Sequence, residues 1–411
     1  MINSVFSSAD ILLPEEYLLP YWSVIACDQF TSQPEYWQRV KDLTAEKPSS
    51  YSLILPEAEI DTVSQERIGE IHRTMDQYLK RDFLRSCPDC FVYTERQMQN
   101  GLTRRGLIGK VDLTQYDYSG STNLPVRATE ETVHERIPPR MGIRRGASLE
   151  LPHVLLLCED DQNQILEPLS RNKAHLKKLY DFDLMLQGGH VSGWLVDGKE
   201  KDDLQMRVRL YEENQKKKYS GERLFYAVGD GNHSLATAKA CYEELRTSHP
   251  GMDWSSHPSR WALCELNNIY DEAQCFEPIH RLVKHCDSER LIADLQKAFH
   301  ASEGVVISYL SSDQRGQLRV DCSTGCLPLA VLQGFLDSWL KDNPGTMDYI
   351  HGEDALIQLS NVPGSVGFLL PTVEKNTLFP GILSHGVLPR KTFSMGAATE
   401  KRYYLELRKI C

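Results

Sequence analysis

The amino-acid sequence predicts a mixed α/β fold. Short apolar runs bounded by turn residues predict buried strands, as at residues 224–228 and 151–158. Other segments repeat apolar residues at three- and four-residue steps, as at 65–86 and 331–340, and this spacing is typical of helices with one packed face. Strand-like and helix-like segments both recur along the chain, which favours a fold that contains sheets and helices.

Length and composition describe an ordinary globular chain of more than one structural unit. With 411 residues, two or three packed units are expected. Hydrophobic residues make up 41% and charged residues 25% of the chain, without a biased tract. The net charge of −11 argues against general binding to nucleic acid or to a membrane surface, although a local basic patch could attract a phosphorylated ligand.

The N-terminal residues and the cysteines indicate a reducing compartment. The N-terminus lacks the basic and apolar regions of a secretory signal, and no run approaches the roughly 18 apolar residues that span a bilayer. We therefore expect a cytoplasmic protein without a membrane partner. The 11 cysteines are scattered, so we predict reduced and mostly buried thiols. Cys87 and Cys90 form the one close pair. A redox or zinc role there would need supporting partners, and the candidate pair, Cys322 and Cys326, has looser spacing.

The most informative stretch covers residues 223–246, where an apolar run meets a polar turn and then a helical pattern. The turn reads Gly-Asp-Gly-Asn-His-Ser over residues 229–234. Glycines permit close approach of the backbone to a ligand, and the first N–H groups of the helix favour an anion. Asp230 could hold a metal ion or take a proton, while His233 and Ser234 could donate to phosphate oxygens. The alternative is an ordinary turn in which Asn232 or Ser234 caps the helix.

Before this turn, two stretches carry further candidate groups. Asp28 stands at the end of a strand-like run, where it could serve a site or cap the helix that begins at Pro34. Residues 91–94 and 102–111 are predicted to form paired strands. Residues 127–146 combine His134 and Glu135 with five arginines, which clamp phosphates or carboxylates bidentately. The alternative for this stretch is a salt-bridged surface loop.

After the turn, residues 260–266 read as a strand, 291–300 as a helix and 305–310 as a strand. His280 and Arg281 could supply a cation to the phosphate site, or Arg281 could pair with Glu277. We place a soft domain boundary after residue 285. Near the C-terminus, Arg390, Lys391 and Thr392 could close over a charged ligand or could form a plain basic turn.

These segments together resemble a large uncharacterised bacterial family, a domain of unknown function with an Asp-Gly-His-His-Arg turn. The turn also resembles, more distantly, the phosphate loop of ParB and sulfiredoxin-like proteins. Asp230, Gly231 and His233 match the family turn, whereas Asn232 replaces its first His and Ser234 its Arg. In the same order along the chain, the Asp28 strand end, the His-Glu-Arg run at 134–136, the His-Arg pair at 280–281 and the basic stretch at 388–396 also resemble family segments.

The resemblance implies a ParB/sulfiredoxin-like phosphate-binding core over residues 1–285, with an additional α+β region at 286–411 packed against it. Relatives of that core include a kinase that acts on free serine. The resemblance thus implies phosphoryl transfer from a nucleotide to a small hydroxylated metabolite such as serine, with ATP or ADP and Mg²⁺ as cofactors and a small molecule or nucleotide as partner. The competing hypothesis is a regulatory protein that binds a nucleotide or phosphometabolite without catalysis.

On this basis we assign two sets of site residues. The predicted catalytic residues are Glu135 as general base, Asp230 and His233. The predicted substrate- or phosphate-binding residues are Asp28, His134, Arg136, Gly231, Asn232, Ser234, His280, Arg281, Arg390 and Lys391.

Overall fold

Residues 4–119, 123–151, 153–322 and 327–411 are described by a computed structural model. The chain divides into two units. The first contains Met1–Ala128, Thr132–Gln274 and Gly396–Cys411, and the second contains Thr129–Glu131 and Cys275–Met395.

The first unit is built on a large mixed sheet with the strand order β5-β6-β11-β8-β12-β4-β3-β10-β9, to which β1 adds beside β4 and β2 beside β3. Strand β11 runs parallel to β6 and antiparallel to β8. The strands of this sheet are β1 (Phe6–Ser7), β2 (Ala9–Pro14), β3 (Leu84–Gln97), β4 (Thr103–Asp112), β5 (Tyr116–Asp117), β6 (Val126–Ala128), β8 (Leu155–Cys158), β9 (Lys177–Asp183), β10 (His190–Val196), β11 (Tyr226–Asp230) and β12 (Trp261–Asn268). Strand β7 (Leu149–Glu150) lies outside it.

Helices cover this sheet and bury its apolar side chains. They are α1 (Leu19–Trp22), α2 (Pro34–Thr44), α3 (Gln65–Lys80), α4 (Ile137–Arg144), α5 (Leu166–Asn172), α6 (Gly198–Lys218) and α7 (Asn232–Ser248). Neighbouring strand residues enter different apolar clusters, since Val92 joins one while Phe91 and Tyr93 join the other. This alternation is expected of a strand that is packed on both faces.

The second unit has its own sheet, with the order β15-β14-β17-β13-β16 and β18 beside β13. Its strands are β13 (Phe276–Lys284), β14 (Val305–Ser311), β15 (Arg315–Val320), β16 (Thr346–His351), β17 (Val366–Leu369) and β18 (Phe393–Met395), and its helices are α8 (Ser288–Ala298), α9 (Pro328–Asp342), α10 (Glu353–Ser360) and α11 (Leu378–His385). The main core of this unit includes Leu291, Leu332 and Phe368.

The last residues return to the first unit. Strand β19 (Arg408–Lys409) pairs with β7, and bridges join Leu407 to Leu12 and Tyr403 to Ile25. The buried Arg96 guanidinium donates to the carbonyl oxygens of Gly188, Thr399, Glu400 and Lys401 at 2.6–3.1 Å. A C-terminal segment thus becomes part of the unit that contains β11 and α7.

The mixed α/β class and the presence of a C-terminal α+β unit are confirmed, while the ParB/sulfiredoxin-like label stays a prediction. The helix expected at 65–86 ends at Lys80, because Arg81 is extended and β3 begins at Leu84 to pair with β2. The expected boundary after residue 285 differs from the observed division at Cys275, because β13 hydrogen-bonds to β16, β17 and β18. Within the described ranges, no helix is long and apolar enough to cross a membrane.

Candidate functional site

The centre of the site is the junction between β11 and α7. The strand ends at Asp230, Gly231 adopts a left-handed conformation with φ of 79°, and α7 begins at Asn232. The Gly231 N–H donates to Asp230 Oδ1 at 3.0 Å. A Cβ atom on Gly231 would lie 3.0 Å from the Cα of Val154, so both conformation and packing require glycine here.

The start of α7 is suited to an anion. Its N-cap residue is Gly231, and no side chain caps the helix, so the alternative of a cap from Asn232 or Ser234 is wrong. Asn232 Oδ1 is buried and has no hydrogen-bond partner among the described residues. The first N–H groups of an α-helix lack intrahelical acceptors and carry the positive end of its dipole. An oxyanion at this end would satisfy them.

A lysine from the C-terminal segment lies beside the turn. Lys401 Nζ is 3.5 Å from Asp230 Oδ2, and only 12% of the Lys401 side chain and 16% of the Asp230 side chain are exposed. Arg96 fixes the Lys401 backbone by donating to its carbonyl oxygen at 2.6 Å. Lys401 therefore supplies a cation next to a turn in which Ser234 replaces the family arginine.

A second carboxylate, Asp28, lies in the same neighbourhood. Burial would raise the pKa of Asp28, but His153, a hydrogen bond from Gln29 and Lys401 hold it below its ordinary value. Asp28 is thus ionised at neutral pH, yet its Oδ1 is buried without a hydrogen-bond partner in the described part of the chain. Helix α2 has Gln33 as its N-cap residue, so Asp28 is not the cap that the alternative required.

His153 is oriented by Tyr404. The Tyr404 hydroxyl lies 2.8 Å from His153 Nδ1 and accepts a hydrogen bond from the Cys27 N–H at 3.2 Å. Burial, followed by the charges of Cys27 and Asp28, raises the pKa of Tyr404 well above its ordinary value, so the phenol keeps its proton. The protonated phenol therefore holds the His153 ring in place through Nδ1.

His233, in the first turn of α7, is a neutral donor. Its Nε2 accepts from the Val133 N–H at 3.2 Å. Burial and then Arg140 and Arg136 lower the pKa of His233 to about 4. At neutral pH the ring is uncharged with its proton on Nδ1, which suits a hydrogen bond to an oxyanion better than proton transfer.

The predicted His-Glu-Arg motif follows Val133 directly, as a short 3₁₀ helix at His134–Arg136. The hydrogen bond from the Val133 N–H to His233 Nε2 joins the residue before this motif to the first turn of α7. The side chain of Glu135 is exposed, and the His134 ring packs 5.8 Å from that of Tyr118. The role of Glu135 as a base stays a prediction.

The arginines around this motif form ion pairs, as the alternative interpretation expected. Arg136 and Arg140 approach the two oxygens of Glu57 at 3.5 and 2.7 Å. The remaining pairs are Arg127–Glu222 at 3.6 Å, Arg144–Glu150 at 2.6 Å and Arg145–Glu244 at 2.8 Å. The Arg136 side chain is 55% exposed and that of Arg140 is 17% exposed. Of the two arginines that contact Glu57, Arg136 is therefore the more accessible to a ligand.

His280 and Arg281 lie on β13 of the second unit, and both are buried. Arg281 donates to Gln333 Oε1 at 2.6 Å and to the carbonyl oxygens of Arg390 and Lys391 at 3.0 Å, rather than pairing with Glu277. His280 Nδ1 accepts from the Leu370 N–H at 3.1 Å.

The backbone of residues 390–392 is fixed from two sides in the second unit. Glu130 accepts from the N–H groups of Lys391 and Thr392 at 3.0 and 3.1 Å, and Arg281 binds the carbonyl oxygens of Arg390 and Lys391. The side chains of Arg390 and Lys391 are exposed. Their role as ligand contacts, and those of His280 and Arg281, stay predictions.

Sequence reasoning missed His153, Lys401 and Tyr404. All three reach the site through long-range contacts, since the C-terminal segment pairs with the segment before Asp28 through Ala26–Arg402 and Val24–Tyr404 hydrogen bonds. Local spacing carries no signal for such contacts.

Cysteine and acidic side chains are the candidates for metal ligands. Among the described residues, no group of three or more His, Cys, Asp or Glu side chains has a metal-binding arrangement. Six described cysteines are buried free thiols, namely Cys87, Cys90, Cys158, Cys241, Cys264 and Cys286. Cys326 lies outside the described residues.

Solved structures with some similarity to the chain include a C-terminally truncated SbnI from Staphylococcus aureus (10% identity, TM-score 0.37, covering 70% of this chain and 81% of that one). A conserved hypothetical protein from Pyrococcus furiosus has 12% identity and a TM-score of 0.33, covering 72% and 90% of the two chains. A free serine kinase in complex with AMP has 11% identity and a TM-score of 0.36, covering 73% and 90%.

A search of curated proteins gave no significant match. A family model described as "Protein of unknown function (DUF1015)" matches residues 8–408. This span includes every predicted site residue and nearly the whole chain. The chain therefore belongs to the DUF1015 family, which confirms the resemblance to an uncharacterised family.

Proposed function

We propose that the first unit binds a nucleotide at the start of α7 and transfers its terminal phosphoryl group to a small hydroxylated metabolite. The observation that supports this most directly is the uncapped helix start at left-handed Gly231 with Lys401 beside it. Such an arrangement combines backbone donors with one nearly buried cation. Phosphate is the common biological ligand of such helix starts.

The phosphate oxygens would be held by three kinds of donor. The first N–H groups of α7, at Asn232, His233 and Ser234, point out of the helix end. Lys401 contributes positive charge, and the Nδ1–H of neutral His233 contributes a directed hydrogen bond. Arg136 is exposed and directly follows Glu135, the proposed base, so it is assigned to the substrate.

The carboxylates fit a nucleotide that brings Mg²⁺. Two acidic groups beside a phosphate would repel it, and Mg²⁺ is usually held by one or two carboxylates together with phosphate oxygens. The buried and unpartnered Oδ1 of ionised Asp28 is a suitable ligand atom, and Asp230 is the second carboxylate. When bound, Mg²⁺ would neutralise charge on the phosphate oxygens.

The reaction requires a base for the acceptor hydroxyl. In the transfer, the acceptor oxygen forms a bond to the terminal phosphorus, the bond from that phosphorus to the bridging oxygen breaks, and the shortened nucleotide leaves. Glu135 is assigned to take the hydroxyl proton because its motif is attached to the α7 start through Val133 and His233. Free serine is the first acceptor to test, because the turn distantly resembles the phosphate loop of ParB and sulfiredoxin-like proteins, whose relatives include a kinase that acts on free serine.

The test is a transfer assay with Mg²⁺, ATP or ADP, and free serine or other small alcohols, with phosphoserine as the measured product. Glu135→Gln should remove most transfer and leave nucleotide affinity largely unchanged, since the substitution keeps shape and loses the base. Asp230→Asn should weaken both binding and transfer if Asp230 holds the metal. Glu213→Gln, an exposed change on α6, is the control.

The assay also separates the enzyme from the regulatory protein. Tight nucleotide binding by wild-type protein, without transfer to serine or any other small alcohol, would favour a sensor and contradict the kinase. Loss of transfer in the control variant to the same extent as in Glu135→Gln would contradict the assignment of the base.

A further inference from the structure

A basic cavity lies in the first unit and shares no residue with the site at α7. Its volume is about 320 Å³, and it is formed by the N-terminal segment, β4, the start of β12 and the first half of α6. This volume is at the lower end of cavities that hold small ligands. Its lining includes the cations Lys110, Lys201 and Arg209.

The lining residues are held in place by the fold. Lys201, Gln205 and Arg209 repeat every four residues and so lie on one side of α6. Gln205 Nε2 donates to the Phe6 carbonyl oxygen at 3.1 Å, which ties the helix to β1. Lys110 stands opposite Ser7 in the β1–β4 pair. These contacts fix α6, β1 and β4 around the cavity.

The cations of the cavity are incompletely neutralised. Lys201 Nζ is 2.5 Å from Asp89 Oδ2 and 3.6 Å from Asp202 Oδ1, and Asp202 is the carboxylate in the lining. Among the described residues, neither Lys110 nor Arg209 lies within ion-pair distance of a carboxylate, although the charges of Asp10 and Asp89 act on Lys110. Lys110 Nζ instead lies 5.0 Å from the centre of the Trp261 ring.

A buried hydroxyl without a partner also belongs to the lining. Ser4 is 5% exposed, and its Oγ has no hydrogen-bond partner among the described residues. Burial of an unsatisfied hydroxyl costs free energy, so a ligand acceptor at this position would be favoured. Burial and then the charge of Arg408 lower the pKa of Lys110, and the charges of Asp10 and Asp89 oppose this shift only in part. A bound anion would act in the same direction as these two carboxylates.

We propose that this cavity binds a small phosphate monoester, with Lys110 and Arg209 supplying charge and the hydroxyls of Ser4 and Ser7 supplying hydrogen bonds. A hydroxyl and a lysine donate to tetrahedral oxyanions, and Arg209 adds a planar fork of donors. The cavity exceeds the space that one phosphate group fills, so the organic part of the ester occupies the remainder against Trp261. This is a binding site additional to the nucleotide site.

The experiment is calorimetric titration of the full chain carrying Lys401→Met, which weakens the α7 site, with glycerol 2-phosphate and, separately, with inorganic phosphate. Chloride at equal ionic strength serves as the blank. Saturable binding of glycerol 2-phosphate is expected, tighter than that of inorganic phosphate. Adding Arg209→Met or Lys110→Met should each weaken it by about tenfold or more, the usual effect of losing a charge-assisted hydrogen bond.

Lys216→Met, an exposed change on the same helix, is the matched control and should leave the affinity unchanged. Absence of binding by the Lys401→Met protein, or equal affinity with and without Arg209→Met, would overturn the proposal. If inorganic phosphate binds as tightly as the ester, the site takes a free phosphate and the assignment to an ester is wrong. Arg209 is exposed, so its variant gives an answer even if Lys110→Met fails to fold.

Discussion

At the scale of single residues, Gly231 is required both by the fold and by the candidate site. We predict that Gly231→Ala destabilises the protein and abolishes nucleotide binding, because the left-handed conformation is strained for alanine and its Cβ would meet the Val154 backbone at 3.0 Å. The loss of unfolding free energy should be on the order of 1–3 kcal/mol. Urea unfolding monitored by circular dichroism measures it.

Gly221→Ala is the matched control for this prediction. Gly221 also has a positive φ, of 97°, but nothing lies within 4 Å of its added Cβ. It should therefore show the conformational cost alone and keep nucleotide binding. Equal destabilisation by the two substitutions would mean that the close approach to Val154 is unimportant.

Glu212 gives a prediction on pH. It is 8% exposed, and its Oε1 accepts from the Val5 N–H at 3.0 Å and the Tyr226 hydroxyl at 2.9 Å. Burial raises the pKa of Glu212 to about 7, although the hydrogen bonds from Tyr226, Phe6 and Val5 oppose this rise. The folded protein therefore binds a proton more tightly here than the unfolded chain, whose glutamate has a pKa of about 4.3.

The higher pKa of Glu212 in the folded protein makes the stability of the protein depend on pH. The Glu212 contribution to stability is lost as pH rises from about 4 through about 7, and the full penalty, on the order of 3 kcal/mol, is present above that range. Glu212→Gln keeps an acceptor oxygen without the charge, so the variant should gain stability relative to wild type between about pH 5 and about pH 8. Urea unfolding at both pH values checks this, with Glu213→Gln as control. A constant difference between variant and wild type across this range would contradict the prediction.

At the scale of elements, the C-terminal segment completes the site. Arg96 donates to three consecutive carbonyl oxygens, those of Thr399, Glu400 and Lys401, and so fixes the backbone that carries Lys401. Arg96→Met should release this segment and weaken nucleotide binding by about tenfold, although Arg96 itself is not assigned to the ligand. Hydrogen exchange of the amides at 399–404 should rise in parallel.

Arg73→Met, an exposed change on α3, is the control for this element. Weaker binding in Arg96→Met without faster exchange at 399–404 would show that the segment is fixed by other contacts. The buried partners of Arg402, Glu265 at 2.9 Å and Glu406 at 2.6 Å, are the contacts that would then be responsible.

At the scale of the whole molecule, local patterns predicted the elements better than their assembly. The strand and helix around Gly231, the β3–β4 pair and α9 follow from periodicity and turn residues, which act over a few positions. The return of residues 396–411 to the first unit depends on contacts across most of the chain, such as Leu12 with Leu407. Periodicity contains no information about such pairs.

The same distinction applies to the candidate site. Asp230, Gly231 and His233 were visible because they occupy one turn, and Asp28 because it ends an apolar run. His153 lies just before β8, and only its distance of 2.8 Å from Tyr404 identifies it. Lys401 was not predicted as a site residue, because a lone lysine near a terminus is usually a solvated side chain.

The measurement that tests the central proposal most directly is calorimetric titration of ADP with Mg²⁺ into wild-type protein, Lys401→Met and Lys409→Met. Lys409 is an exposed lysine of the same C-terminal segment and serves as the matched control. We predict saturable binding by wild type and Lys409→Met, and affinity lower by about 10- to 100-fold in Lys401→Met, as expected for a lost charge-assisted hydrogen bond. No binding by wild type, or equal affinity in all three proteins, would contradict a nucleotide site at the start of α7.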